Sequence, residues 1–600
     1  MPGGGAPALG GSSGAGTGGA LMASGGKSFG GTSAGGVNTS GSPNGGSTSS
    51  GGTTSPSAGS GGSNTMAGAA AGGAAAGAPA MEKECGATPA GEIKFSIPSG
   101  AFENSLSVEL STALTGAEIR FTTDHTVPTA SSTLYAGTPI AINTTTRLVA
   151  QPFVQGAAAG PPQTAIYIAR AFAPMHDLPV IVLDTYGTPM PGQDGGGKAG
   201  DEYVNTALLA FEPEAGAISF AGAPKVASAA GVRVRGQSSS NYAKKPYKVE
   251  LHEADGSDRD CAMLGMPAES DWVLHSPFPD KALIRNAFVY SLGRDIGMAA
   301  PRAAFAEVYL NTAARPVAAS DYVGVYLLVE NIKNQKDRLN LQQLEPEDTA
   351  LPAIAGGYIF KFEWRVTDIE QKLLCPSGQQ YCWDYLEVAD PKPWNSQQQA
   401  YLTEHLLSFV NALHSATPSD EVSGYPAFLD VRSFATQVVL HELTRNLDAY
   451  TRSQYLFKDR DGKINAGPLW DYDLIAGVGF QASGASTEGW QHETMASRFT
   501  NTADWFPRLI ADPAFKAAVV ARWKELRQAQ LSDAQVRARI TALTTGLSAG
   551  AQRNFQKWNN LTTMRIGMFD TPTAATWDGQ VTAMLDWLLA RMAWLDTAWQ

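Results

Sequence analysis

Residues 445–473 read RNLDAYTRSQYLFKDRDGKINAGPLWDYD, and this stretch carries the most informative pattern of the chain. It starts at the end of a helix predicted over 431–445, so Asp448 falls in the loop that follows that helix. An Asp-Gly turn then predicts a hairpin whose second strand ends in Asp471 and Asp473. One carboxylate from a loop and one or two from a strand end can converge on a divalent cation. Phosphoryl transfer needs this arrangement, because one aspartate accepts the hydroxyl proton while another holds the cation.

The region before this stretch, residues 178–330, predicts strands, then a helix, then more strands. A small-residue turn over 236–241 precedes a strand over 244–251 that bears lysines, a combination that can hold phosphate groups. The helix has apolar residues at helical spacing, with Asp280 as a candidate N-cap and Gly297 as a candidate stop. A helix packed on one mostly antiparallel sheet indicates an α+β fold.

Helical periodicity dominates from residue 398 onward. Helices are predicted over 398–414, over 431–445, near 505–547 and over 578–599. The last helix is rich in Trp, Leu and Met, a composition typical of a packed core.

The chain begins with a Gly/Ser/Thr/Ala-rich tail, residues 1–88. Its first 80 residues hold one charged residue, Lys27, so the tail is predicted to be disordered. Short alternating strands separated by turns then predict a small antiparallel β-sandwich over 89–172. The main domain is expected over 175–600.

Within the sandwich, the stretch GAEIRFTTDHTVPT (116–129) resembles the chitobiase/hexosaminidase C-terminal-type module. His125 stands where that family usually has glycine. The module is non-catalytic in the family, so the resemblance implies a spacer, with a glycan-proximal domain as the alternative.

Charge and composition exclude several classes of partner. The formal net charge of −12 argues against nucleic acid and against an anionic membrane surface. No apolar run is long enough to predict a transmembrane helix, and no signal peptide is visible at the N-terminus.

Cys375 and Cys382 enclose a short loop and can pair, whereas Cys85 and Cys261 are isolated. The tail and the possible disulfide favour an extracellular or cell-surface setting.

Seven short motifs of the main domain, in this order, resemble the CotH-type (spore-coat protein H-like) atypical kinase family. They are Arg235-Gly236-Gln237-Ser238-Ser239 with Lys244-Lys245-Pro246-Tyr247; Leu264-Gly265-Met266 with Asp271-Trp272-Val273-Leu274; Ile284-Arg285-Asn286; residues 324–330; residues 356–361; Asn446-Leu447-Asp448; and Trp470-Asp471-Tyr472-Asp473. The resemblance implies a bilobal atypical protein-kinase-like domain that uses ATP and Mg²⁺ or Mn²⁺.

The resemblance also implies roles for individual residues. Asp448 corresponds to the catalytic-loop aspartate, and Asp471 to the metal-holding aspartate with Asp473 close by. The candidates for nucleotide binding are Arg235, Lys245, Lys248 and Glu330, the last of which lies near the expected junction of the lobes. The family often has asparagine five residues after the catalytic aspartate, where it helps to hold metal. Here that position is Ser453, which implies a weaker metal ligand.

Three functions are compatible with these features. The first is phosphoryl transfer to Ser or Thr of surface or coat proteins. The second is a non-catalytic, kinase-like binding protein of the surface, which the tail, the sandwich and Ser453 favour. The third is glycoside hydrolysis, because the Asp448/Asp471 pair could supply its two carboxylates.

Overall fold

The computed structural model describes residues 85–192, 202–213, 216–363, 366, 368–379, 381–383, 386–480, 486–499 and 504–600. Residues 1–84 of the predicted tail lie outside the described residues, and its disorder stays a prediction. Within the described ranges, no helix is both long enough and apolar enough to cross a bilayer.

The first module is built from short strands around a small apolar core. Strands β1–β10 are Ile93–Phe95, Gly100–Phe102, Leu106–Val108, Leu110–Thr112, Glu118–Thr122, Thr133–Leu134, Ile140–Ile142, Thr146–Val154, Ala157–Ala158 and Gln163–Ala169. The main sheet has the order β2-β10-β8-β5-β6, with β9 beside β8. The predicted sandwich is confirmed in outline, although β2 and β10 run parallel. Strands β3 and β4 are neighbours in the chain but pair with different strands, β7 and β1.

The next elements, up to residue 330, form a barrel and the short segments around it. They are β11 Met175–His176, β12 Val180–Asp184, β13 Val204–Phe211, β14 Ile218–Ser219, β15 Val226–Val234, β16 Tyr247–His252, β17 Cys261–Met263, β18 Met266–Glu269, β19 Asp271–His275, α1 Arg285–Asp295, β20 Ala303–Asn311 and β21 Tyr322–Glu330. Strands β12-β13-β15-β16-β19-β21-β20 close into a barrel. The sheet is mostly antiparallel, as expected, but the expectation of one sheet did not include its closure into a barrel. The sheet closes because β12 pairs with β13 on one side and, in parallel, with β20 on the other.

Side chains alternate between the inside and the outside of the barrel. On β16, Tyr247, Val249 and Leu251 join the interior core, while Lys248 faces outward. This follows from the strand period of two, which sends successive side chains to opposite faces.

Helix α1 begins at Arg285, five residues after the predicted N-cap. Asp280 is not the capping residue, because a turn separates it from the helix. Its carboxylate nevertheless accepts a hydrogen bond from the Arg285 N–H over 2.8 Å. Gly297 follows the helix with φ +84°, as a helix stop requires.

The remaining elements form a second sheet and a helical region around one large core. They are β22 Tyr358–Phe362, β23 Lys372–Leu373, β24 Leu386–Asp390, α2 Ser396–Leu413, α3 Val431–Thr444, β25 Gln454–Lys458, β26 Ile464–Ala466, β27 Gly479–Phe480, α4 Gln491–Thr494, α5 Trp505–Ala511, α6 Pro513–Arg527, α7 Asp533–Thr544, α8 Ser548–Lys557, β28 Arg565–Ile566, β29 Phe569–Asp570 and α9 Trp577–Ala598. The second sheet has the order β23-β24-β22-β25-β26. The predicted mixture of helix and strand is confirmed, and the helical region near 505–547 consists of α5, α6 and α7.

The sandwich packs directly on the outside of the barrel. The hydroxyl of Thr145 donates to Asp184 over 3.0 Å. A guanidinium nitrogen of Arg147 donates to the carbonyl groups of Glu253 and Ala254 over 3.1 and 2.9 Å. Apolar side chains of β10 join those of β12, β13 and β15 in one buried cluster.

Two disulfides cross-link the described part of the chain. Cys375 pairs with Cys382, as the short loop predicts. Cys85, predicted to be isolated, pairs with Cys261. The prediction that these two cysteines are isolated is therefore wrong. The sequence does not indicate the pair, because 176 residues separate the two cysteines and only the folded chain brings them together.

Candidate active site

Helix α3 leads into the loop that carries Asp448. The helix begins after Asp430, whose side chain accepts a hydrogen bond from the Ser433 N–H over 2.6 Å. It ends at Arg445, which adopts φ +50° and turns the chain into the loop. There the Asp448 N–H donates to the side-chain oxygen of Asn446 over 2.9 Å. Local hydrogen bonds therefore fix the loop.

Asp448 combines an enclosed carboxylate with some access to solvent. Its side chain is 18% exposed, and the Nη1 atom of Arg452 lies 3.4 Å from its Oδ1 atom. Burial and the charge of Asp471 raise the pKa of Asp448 to about 6, against the opposing charges of Arg452 and Arg498. An accessible carboxyl group that titrates near neutrality has the property required of a general base.

Asp471 has an unusual backbone conformation. Its φ of +65° lies in the left-handed region, which costs a non-glycine residue about 1–3 kcal/mol. Its N–H donates to the hydroxyl of Tyr290 over 3.1 Å, and its Oδ2 accepts from the hydroxyl of Ser453 over 3.2 Å. These contacts hold the carboxylate in place from two sides.

The residue after Asp471 is tied to α1 and to the barrel. The N–H of Tyr472 donates to Oδ1 of Asn286 over 2.6 Å. The amide nitrogen of Asn286 lies 3.0 Å from Nε2 of His275, at the end of β19. Burial lowers the pKa of His275 to about 3, so the ring is neutral and forms no ion pair with Asp473, 4.0 Å away. Asn286 thus links the barrel to the segment 471–473, which is called the acidic segment below.

Asp473 adds a buried carboxylate to the same neighbourhood. Burial, followed by the charges of Asp471, Asp280 and Asp448, raises its pKa well above the ordinary value. The pKa of Asp471 is also raised, chiefly by burial. The charge of Asp471 raises the pKa of both Asp448 and Asp473, and such neighbouring like charges create a negative potential that a bound cation would relieve.

Two basic side chains act on Asp471. The charges of Arg235 and Lys361 both oppose the rise in its pKa. The guanidinium of Arg235 lies over the ring of Trp470, 5.6 Å from its centre. Lys361 also contacts Glu363, at 3.2 Å. Arg235 is therefore the predicted nucleotide residue that lies beside the acidic segment.

The other three predicted nucleotide residues pair with protein groups. Nζ of Lys245 donates to the carbonyl of Ser240 over 2.8 Å. Lys248 pairs with Asp271 at 2.9 Å, on the outer face of the barrel. The carboxylate of Glu330 pairs with two arginines, at 2.7 and 2.8 Å. These contacts satisfy each charge without involving the acidic segment.

The donor atoms suit a magnesium site that a nucleotide completes. Among the described residues, no three His, Cys, Asp or Glu side chains form a group that could hold a metal ion. Mg²⁺ does not require such a cage, because it commonly takes one or two carboxylates together with waters and phosphate oxygens. The oxygens of Asp471, Asp473 and Ser453 fit this pattern, since all are hard donors.

Sequence reasoning missed the roles of Asn286, Tyr290 and Lys361. Asn286 and Lys361 lie within the motifs that resemble the CotH-type family, and this position was the signal that could have pointed to their roles. Tyr290 lies four residues after Asn286, so both project from one side of α1 toward the acidic segment.

Two family models match parts of the chain. A family model described as CotH kinase protein matches residues 232–595, more than half of the chain. A model described as chitobiase/beta-hexosaminidase C-terminal domain matches residues 97–164, within the sandwich. No curated protein matches the chain.

Proposed function

Because the chain belongs to the CotH kinase protein family, as its motifs predict, we propose that it transfers the terminal phosphoryl group of ATP to a protein Ser or Thr hydroxyl. The observation that carries this proposal is the proximity of Asp448 and Asp471, whose charge helps to raise the pKa of Asp448. Asp448 lies in the loop after α3 and Asp471 in the segment after β26, and phosphoryl transfer uses one carboxylate as proton acceptor and another to hold the cation.

Asp448 is the proposed proton acceptor. The hydroxyl oxygen of the acceptor forms a bond to phosphorus, the bond between phosphorus and the leaving oxygen of ADP breaks, and the hydroxyl proton passes to the Asp448 carboxylate. A pKa of about 6 leaves this group mostly ionised at neutral pH and still able to take the proton.

Asp471, Asp473 and Ser453 are the proposed ligands of Mg²⁺ or Mn²⁺. When bound, the cation would neutralise charge on the phosphates during transfer. The chain's own contribution is to hold these oxygens, since Tyr290 fixes the Asp471 backbone and Ser453 donates to its carboxylate.

Arg235 is the proposed contact for the ATP phosphates, and Lys361 is a second cation beside it. Arg235 acts on Asp471 and is oriented by Trp470. Lys245, Lys248 and Glu330 are less suitable, because each already pairs with a protein group.

The setting and the bilobal organisation are also proposals. The barrel half contributes Arg235, whereas Asp448 and Asp471 come from the half with the second sheet and the helices. This supports a two-lobed kinase-like domain with its site at the junction. Two disulfides support an oxidising, extracellular or cell-surface location, where surface or coat proteins would be the substrates.

A non-catalytic binding function is the second candidate. The observation that favours it is Ser453, which supplies one hydroxyl where the resemblance implies an asparagine. A glycan is a separate possible partner for the sandwich module, which binding to a glycan array would test.

The test measures nucleotide binding and transfer with the full chain. ATP with Mg²⁺ or Mn²⁺ should stabilise the protein by about 3 kcal/mol at a hundred times the dissociation constant. Asp471→Ala should abolish the metal-dependent stabilisation, whereas Asp448→Ala should keep it and lose phosphate transfer. Asp586→Ala, at an exposed position of α9, is the control and should behave as the parent.

The outcomes separate the two candidate functions. Metal-dependent binding without transfer to any acceptor would support the non-catalytic protein. Parent-like binding and transfer in both Asp471→Ala and Asp448→Ala would overturn the site assignment.

A further inference from the structure

Asp448 lies between two buried anchoring contacts. Two residues before it, the carbonyl oxygen of Asn446 accepts a hydrogen bond from Nε2 of Gln491 over 2.8 Å. Two residues after it, the hydroxyl of Tyr450 donates to Oε1 of Glu442 over 2.8 Å. The side chains of Gln491, Glu442 and Tyr450 are all buried. The loop that carries Asp448 is therefore held on both sides of this residue.

The two residues that make these contacts are also bonded to each other. The N–H of Gln491, in α4, donates to Oε2 of Glu442, in α3, over 2.6 Å. The N–H of the next residue, His492, donates to Oε1 of Glu442 over 2.9 Å. Gln491 and Glu442 therefore form one unit, which is called the loop clamp below.

Two buried arginines fix the segment that leads to Gln491. The guanidinium of Arg445 donates to two carbonyl groups of residues 486–488 over 3.1 and 2.6 Å, and its Nε donates to Oε1 of Gln491 over 3.3 Å. The guanidinium of Arg591 donates to two carbonyl groups of residues 487–489 over 3.0 and 2.7 Å. The position of the Gln491 amide is therefore set by the fold.

Asn446 transmits the support of Gln491 to Asp448. Its carbonyl oxygen also accepts from the Ala449 N–H over 3.2 Å, and its side-chain oxygen accepts from the Asp448 N–H over 2.9 Å. These two bonds form a tight turn that contains Asp448. A shift of the Asn446 backbone would therefore move the Asp448 carboxylate as well.

We propose that Gln491 is a positioning residue that acts through Asn446 and holds the Asp448 carboxylate in place for proton transfer. Glu442 supports the other side of the loop through Tyr450. This inference rests on the proposed function, in which Asp448 accepts the proton of the acceptor hydroxyl. A proton acceptor has to lie within hydrogen-bond reach of that hydroxyl, and a misplacement of about 1 Å can lower the rate on the order of a hundredfold.

The proposed cation ligand Asp471 has supports of its own. Its N–H donates to Tyr290, and its carboxylate accepts from Ser453. Loss of the Gln491 amide should therefore lower kcat, while the KM for ATP and the Mg²⁺ concentration for half-maximal stabilisation stay those of the parent. A residue that only stabilises the fold would not separate these quantities.

The experiment compares Gln491→Met with Gln580→Met in the full chain. Methionine keeps the length of the side chain and removes the amide. Gln580 is the matched control, because it is buried in α9 and its Nε2 donates to the carbonyls of Leu561 and Pro572 over 2.8 and 3.0 Å. Both variants should lose similar stability in thermal melts. Only Gln491→Met should lower kcat, on the order of tenfold.

Rates are measured with ATP, Mg²⁺ and the best acceptor from a pool of single-serine peptides. An unchanged kcat in Gln491→Met would overturn the proposal, and so would an equal loss of kcat in Gln580→Met. If Gln491→Met does not fold, Tyr450→Phe takes its place with the same expected fall in kcat. In that variant the ring keeps its contacts with His441 and Phe506, and only the hydroxyl is lost.

Hydrogen exchange decides if the parent phosphorylates no peptide. The amides of residues 446–450 should exchange several-fold faster in Gln491→Met than in Gln580→Met or the parent, because the loop opens more often. This result would support the loop clamp even where the transfer proposal fails. Equal exchange in the three proteins would reject the loop clamp.

Discussion

Asp471 and Tyr290 are joined by one hydrogen bond, in which the Asp471 N–H donates to the phenol oxygen over 3.1 Å. Tyr290 belongs to α1 and is packed in the large core, whereas Asp471 adopts a left-handed backbone conformation. A helix 181 residues earlier in the chain therefore supports the proposed cation-holding residue.

The first prediction concerns this bond. Tyr290→Phe keeps the ring but leaves the Asp471 N–H without its partner, which should lower the free energy of unfolding by about 1–3 kcal/mol. Because Asp471 also loses its support, the Mg²⁺ concentration for half-maximal stabilisation by ATP should rise several-fold. Thermal melts over a Mg²⁺ titration measure both effects.

Tyr326→Phe is the matched control. The Tyr326 hydroxyl donates to the carbonyl of Lys245 over 2.9 Å inside the barrel, so this variant should lose similar stability. Its Mg²⁺ midpoint should stay that of the parent. An equal shift of the midpoint in both variants would show that Tyr290 has only a structural role.

The second prediction is the pH dependence of phosphate transfer. Asp448 has to be ionised to accept the proton, and its pKa is raised to about 6. The kcat/KM should therefore increase as the pH rises toward 6 and level off above it, since this quantity reports the free enzyme. Initial rates between pH 4.5 and 8 test this, and a profile already flat from pH 4.5 would contradict the role of Asp448.

The third prediction is the effect of Asp448 on stability. Between the ordinary value of 3.8 and the raised value of about 6, the folded protein binds the proton more tightly than the unfolded chain. The free energy of unfolding therefore falls as the pH rises through this window, and the full penalty of about 3 kcal/mol is present above it. Asp448→Asn removes the penalty, so it should stabilise the protein at pH 7.5 and have little effect at pH 4.

Chemical denaturation at the two pH values measures this difference. Asp586→Asn, at an exposed position, should change stability little at either pH. Destabilisation by Asp448→Asn at pH 7.5 would mean that the lost contact with Arg452 outweighs the burial of the charge.

The fourth prediction ranks the two disulfides. A cross-link stabilises more when it closes a longer loop, because it removes more entropy from the unfolded chain. Replacing Cys85 and Cys261 by alanine, which opens a separation of 176 residues, should cost about 5 kcal/mol. The same change at Cys375 and Cys382, separated by 7 residues, should cost about 2 kcal/mol. Guanidinium denaturation without reductant gives both values, and the reverse order would contradict the loop-closure argument.

The fifth prediction concerns the contact between the sandwich and the barrel. Ile168, in β10, is fully buried against side chains of the outer barrel face that include Val180 and Leu209. Ile168→Ala should lower the free energy of unfolding by about 2–5 kcal/mol, because it leaves a cavity. Barrel unfolding should shift with it. Loss of the sandwich alone, with an unchanged barrel transition, would show that the two modules are energetically independent.

Local sequence patterns predicted much of this protein. The period of 3.6 located α2, α3 and α9 to within two residues at each end, and the Asp-Gly turn located the hairpin between β25 and β26. The prediction that the second strand of this hairpin ends in Asp471 and Asp473 is wrong, because β26 ends at Ala466 and the two aspartates lie in the segment that follows it. Short alternating strands separated by turns predicted the β-sandwich module. These features depend on residues a few positions apart, whose spacing alone selects helix, strand or turn.

The sequence by itself determined the family, the sandwich module, the longer helices, several strands, and the two aspartates that carry the proposed chemistry. The tertiary structure alone decided that the barrel closes, that Cys85 pairs with Cys261, and that Lys248 pairs with Asp271. It also decided that Asn286 and Tyr290 hold the acidic segment. Each of these contacts joins residues that are distant in the chain or lie on different elements. Their choice of partner depends on how the elements pack, which local spacing does not encode.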